Sequence, residues 1–146
     1  MSNADEMLEV AASRAAELAA PGLSPRPRRK VAVLACMDTR IDLFSMLGLK
    51  RGDAHIIRNA GGLVTDDAIR SLIASQRLLG TEEIVVVMHD GCGLQGGPKE
   101  LGGFEDLTAT LEDGLDRLRS NADLPARDHV RGFIFDPESG KLRAAG

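Results

Sequence analysis

The sequence predicts an α/β protein: a three-layer fold with a central, mostly parallel sheet of four to five strands flanked by helices. Two observations predict it. Short β-branched apolar runs, such as Val31–Ala35 and Ile84–Met88, are the size of strands buried on both faces. They alternate with segments whose apolar residues recur at helical spacing, the pattern that builds parallel sheets through crossover helices.

From the start of the chain, residues 5–20 are alanine-rich, with Met7, Leu8, Ala11, Ala15 and Leu18 at helical spacing and Asn3 or Asp5 available as a cap. The apolar stripe is narrow; it suits docking on a partner subunit or on the chain's own sheet equally. Residues 21–30 hold three prolines and the cations Arg26, Arg28, Arg29 and Lys30, and read as an extended, solvated linker, with an anion-binding arm as the minor reading. The first strand, Val31 to Ala35, stops at Cys36. Ile41 to Leu47 predict a short helix ended by Gly48, and Ala54 to Ile57 a second strand.

Thr65 caps a clear helix, with Asp66 and Asp67 at the positive end of its dipole and Gly80 as its left-handed stop. Ile69, Leu72, Ile73 and Leu79 mark its buried face. The third strand, Ile84 to Met88, is followed by a glycine-rich loop from Gly93 to Gly103. Phe104 to Arg119 predict the last long helix, Val130 to Phe135 a fourth strand, and Lys141 to Arg143 an antiparallel tail strand. The organisation expected is one domain over residues 1–146: an N-terminal helix (1–20), a linker (21–30) and a core (31–146).

Composition narrows the function classes. With 18 basic against 22 acidic residues, the net charge of −4 provides no basic field for nucleic acid. No apolar run approaches the ~20 residues that span a bilayer. The N-terminus has no charged-then-apolar signal organisation, and a cytoplasmic location is expected. In that compartment, two cysteines point to metal binding or catalysis rather than to a disulfide.

Those cysteines, Cys36 and Cys92, each follow a buried strand, and His89 precedes Cys92 by three residues. In an open α/β sheet, ligands bind beyond the carboxyl ends of the strands. If the two strands are neighbours, two thiolates and one imidazole converge. That set suits Zn²⁺, with a fourth tetrahedral position left for water. Alone, each cysteine would read as a small buried hydrophobe and His89 as a structural histidine; His55 and His129 have no such company and read as structural or solvent-facing. Asp38 and Arg40 could form a plain surface ion pair.

Cys36-x-Asp38-x-Arg40, then Arg58-Asn59-Ala60-Gly61, then His89-x-x-Cys92-Gly93 resembles the β-class carbonic anhydrases of small bacterial type. The likeness runs from Val31 to Gly93 and resumes near Arg131-Gly132-Phe133. It implies a β-carbonic anhydrase-like fold and zinc-dependent interconversion of CO₂ and bicarbonate, with Cys36, His89 and Cys92 as metal ligands. It also implies a homodimer or higher homo-oligomer. Asp38 and Arg40 would form a catalytic dyad in which Arg40 restrains the carboxylate, Asp38 accepts a hydrogen bond from the metal-bound hydroxide, and Asp38 can itself ligate zinc in a resting state. Gly61 would lie near the metal and help bind substrate; it reads equally as a tight-turn glycine. Hydrolysis of carbon disulfide or carbonyl sulfide, and non-catalytic zinc or bicarbonate binding, are the alternative readings. Two departures stand out: Asp90-Gly91 replaces the family's common Thr-Asp between the ligands, and the stretch after Cys92 is short and glycine-rich.

Overall fold

The computed structural model describes residues 1–146. Five strands, β1 (Val31–Cys36), β2 (Ala54–Asn59), β3 (Glu83–His89), β4 (Val130–Phe135) and β5 (Leu142–Ala144), form one sheet in the order β2-β1-β3-β4-β5. The first four strands run parallel and β5 pairs antiparallel with β4, as the tail pattern predicted. From β1 the chain steps outward to β2, then crosses back to place β3 on the other side of β1. The strand order therefore reverses at the β1/β3 boundary, the position where open α/β sheets bind ligands.

Alternate residues of the central strands face two unequal layers. Ala32, Leu34, Ile84, Val86 and Met88 pack beneath α4 (Asp66–Leu79) and α5 (Leu107–Arg119), against Leu72, Leu111, Leu115 and Leu118. The opposite layer is thinner: Val33, Ala35 and Val87 meet Ile41, Leu43 and Leu49 around the single short helix α3 (Leu43–Leu47). Part of that second face stays open as an apolar cleft of about 480 Å³ between Val31, Val33, Leu49, Val85, Phe133 and Leu142.

Caps set most boundaries as their chemistry requires. The Thr65 side chain accepts from the Ala68 amide, and Gly48 and Gly80 end α3 and α4 in the left-handed conformation. Four expectations need correction. The expected single N-terminal helix is broken at Arg14 into α1 (Asn3–Ser13) and α2 (Ala15–Leu18). Its cap is Ser2, in a capping box with Asp5. β2 runs on to Asn59, because its partner β1 continues to Cys36 and offers it a complete parallel ladder. The last long helix begins at Leu107 rather than Phe104: the Asp106 carboxylate accepts from the Ala109 amide and starts the helix there, while Phe104 bridges to Gln95 and seals the glycine-rich loop. No residue of α1 or α2 is buried.

Candidate metal centre

β1 and β3 end side by side, with Ala35 opposite Val87, so the residues that follow are delivered to one spot. The potential ligand atoms of Cys36, His89 and Cys92 all lie within 4.8 Å of one another, and all three residues are buried. The sulfurs are unpaired thiols. Burial pushes the Cys92 thiol above its ordinary pKa, and the neighbouring Cys36 adds to the rise.

The imidazole shows what the cluster is for. His89 Nδ1 sits 2.9 Å from the Asp90 carbonyl oxygen, an arrangement that places the proton on Nδ1. Nε2 then presents a lone pair, and it is the one buried side-chain nitrogen or oxygen with no hydrogen-bond partner. An orphaned acceptor costs on the order of 1–3 kcal/mol unless something binds it. Two soft thiols and an imidazole lone pair around one point fit Zn²⁺, with one tetrahedral position open.

Asp38 stands beside the cluster, its Oδ2 3.7 Å from His89 Nε2. It is fastened by Arg40 through Nε (3.0 Å), Nη2 (2.9 Å) and the backbone amide (2.8 Å). These hydrogen bonds hold the Asp38 carboxyl well below the usual carboxylate range. Arg40 also donates to the Gly91 carbonyl at 3.1 Å, linking the loops after β1 and β3. A polar opening of about 320 Å³ beside Arg40 is bounded by Asp90, Asp136 and Glu138.

Two supporting residues escaped the sequence reading. Arg58 donates to the carbonyls of Cys36 (2.9 Å), Ile41 (3.1 Å) and Asp38 (2.8 Å), so one guanidinium shapes the whole loop carrying Cys36, Asp38 and Arg40. Its motif was visible, but no spacing rule says that an arginine will turn back onto another loop's backbone. The second is Gly62, at φ +64°: a Cβ there would fall 2.8 Å from the Cys36 nitrogen and 2.9 Å from the Val87 carbonyl. Its backbone is laid directly over the ends of β1 and β3. Gly61, buried with φ +87°, instead faces Leu63 and Leu94. Asn59 secures this turn with reciprocal bonds to Leu63. His55 is structural, bonded to Ser75 and to the Pro25 carbonyl, and His129 is exposed.

A buried two-thiol, one-imidazole cluster at the switch point of an open α/β sheet defines a zinc-type centre with one exchangeable position. The family model for carbonic anhydrase matches residues 31–123, and the chain belongs to that family. Its relatives place it in the β class: β-carbonic anhydrase 1 of Mycobacterium tuberculosis is 41% identical over 133 residues, covering 80% of this chain and 82% of that protein. The crystal structure of a carbonic anhydrase from Streptococcus mutans superposes with a TM-score of 0.90 at 32% identity, covering 100% of this chain and 99% of the other. Carbon disulfide hydrolase of Acidithiobacillus thiooxidans is 43% identical over 102 residues, but those span 66% of this chain and only 49% of that protein.

Proposed function

We propose that this chain is a zinc-dependent carbonic anhydrase, catalysing the reversible hydration of CO₂ to bicarbonate and a proton. The observation that carries the reading is the unpartnered Nε2 of His89, set between two thiols and beside a carboxylate restrained by arginine. Cys36, His89 and Cys92 would hold the metal. Bound Zn²⁺ lowers the pKa of a coordinated water to about 7 and so supplies hydroxide near neutrality.

The chain's own residues do the rest. Asp38 is an acceptor-only carboxylate; it would accept the hydrogen bond of a hydroxide held at the site and so orient that hydroxide for attack on CO₂. Arg40 keeps Asp38 ionised and holds both of its carboxylate oxygens in place. Gly61, with Leu63 and Leu94 beside it, would line the substrate's approach.

The chain reads as one domain that works as a homodimer or larger homo-oligomer. Support comes from α1, an 11-residue helix with no buried residue, on which Met7, Leu8 and Val10 are exposed. A helix that short is marginal alone in water, and the same chain carries an apolar cleft, lined by Val31, Val33, Leu49 and Val85 with Arg29 and Glu83 among its polar residues. A two-fold exchange of helix for cleft between two copies would cover both surfaces. The unpaired thiols suit a reducing compartment, in keeping with a cytoplasmic location.

Zinc content and CO₂ hydration rates across pH, measured on the purified protein, test the reading; stoichiometric zinc without hydration activity would overturn it. Carbon disulfide hydrolysis is the rival, favoured by the partial match to that hydrolase. Activity on carbon disulfide or carbonyl sulfide with none on CO₂ would select it.

A further inference from the structure

The dipeptide between His89 and Cys92 is held from two sides by arginines that come from different parts of the fold. Asp90 carries three constraints. Its amide donates to the Phe135 carbonyl at 2.9 Å, its carbonyl accepts from His89 Nδ1 at 2.9 Å, and its carboxylate takes a fork from Arg143 at 2.8 and 3.2 Å. Arg143 lies on β5, the antiparallel edge strand, opposite Ile134. Gly91 follows with φ +69°, and its carbonyl accepts from Arg40.

We propose that Arg143 is a positioning residue for the metal centre: through Asp90 it fixes the backbone carbonyl that aims the His89 imidazole. This rests on the zinc reading of the site. The reasoning starts from Gly91, which offers the backbone little steric restraint. A turn containing it, set directly between two ligands, would let the Asp90 peptide rotate and carry the His89 hydrogen-bond acceptor with it. The amide bond to Phe135 holds only one side of residue 90. The bidentate Arg143–carboxylate fork supplies the missing restraint, with fixed directions that a single point charge lacks. Partners that orient a metal-binding histidine through its second nitrogen tune affinity without touching the metal. Arg143 and Asp90 are about half exposed, so as a surface ion pair they add little to global stability; their effect falls on geometry.

The test compares the zinc-loaded wild type with Arg143→Ala, Asp90→Asn, the double variant, Arg143→Lys, and Arg131→Ala as a control. Arg131 is an exposed arginine on the neighbouring strand β4 whose guanidinium donates to the Gly146 carbonyl and lies over the Phe133 ring. The readouts are zinc loss to a competing chelator, the visible spectrum of the cobalt-substituted protein, and the melting temperature of the metal-free form. Arg143→Ala and Asp90→Asn are each expected to weaken zinc binding about tenfold, the low end for such outer partners. The cobalt bands should shift, while metal-free melting changes little. The double variant should be no worse than either single one, since both remove one link, and Arg143→Lys should recover only part of the loss. Zinc retention in Arg143→Ala equal to wild type would overturn the proposal, as would additive losses in the double variant or an equal loss in Arg131→Ala. A wild type that takes up no zinc would overturn the reading beneath it as well.

Discussion

His89 Nε2 and Asp38 Oδ2 face each other across 3.7 Å with no hydrogen bond between them. A neutral imidazole aims a lone pair there and the carboxylate has only lone pairs to offer, so the gap holds two acceptors and no donor. Such a gap is stable when a cation, or a donor held by one, stands in it.

Cys92→Ser is expected to lose most of its zinc, because a hydroxyl is a far poorer ligand than a thiolate. Metal analysis after gel filtration checks this; full occupancy would remove Cys92 from the site.

Asp38→Asn should keep its metal and lose about 10²-fold or more in CO₂ hydration, since the amide can offer a donor where an acceptor is needed. Unchanged turnover would mean that hydroxide is oriented by some other group.

Arg40→Ala should fail in a different way. It frees Asp38 to reach the metal, and the block should be deepest at low pH, where hydroxide competes least, and partly relieved as pH rises. pH–rate profiles of variant and wild type that run parallel would contradict the restraint role. The variant also loses the bond to Gly91, so some weakening of zinc binding should accompany it.

Gly62→Ala places a methyl group against the Cys36 amide and the Val87 carbonyl, both backbone atoms in central strands. Overpacking typically costs about 1–3 kcal/mol, and the positive φ adds roughly 1 kcal/mol or more. Urea unfolding should show that loss together with weaker zinc binding. Gly140→Ala, at a similar φ but with open space around it, should leave the metal untouched.

Met7→Lys with Val10→Lys should shift the assembly towards monomer if α1 covers a second copy's cleft, as light scattering at micromolar concentration would report. An unchanged oligomer would place the interface elsewhere.

Asp53 carries the acid-side prediction. Its carboxyl accepts from the Lys50 amide at 2.8 Å and from Arg28, and these bonds lower its folded-state pKa. The stability it provides is therefore complete above the unfolded value of about 4 and is lost as pH falls through the folded value. Asp53→Asn should remove that component, so that its stability deficit relative to wild type narrows below about pH 4.

The sequence by itself determined the strands, the caps Gly48, Thr65 and Gly80, and the candidate ligand set. Buried strands are short continuous apolar runs, caps are single residues with local chemistry, and Cys36, His89 and Cys92 stand immediately at or after the ends of β1 and β3. Each is a property of a few neighbouring residues. Tertiary structure alone decided what happens across the chain. It joined β1 to β3, turned the Arg58 guanidinium back onto the Cys36 loop, laid Gly62 over both strand ends, and brought Arg143 from the edge strand to Asp90. It also left α1 bare, although its apolar spacing looks like that of a packed helix. Spacing sets which residues share a face, but whether that face meets the chain's own core, another copy or water depends on where the whole fold puts it.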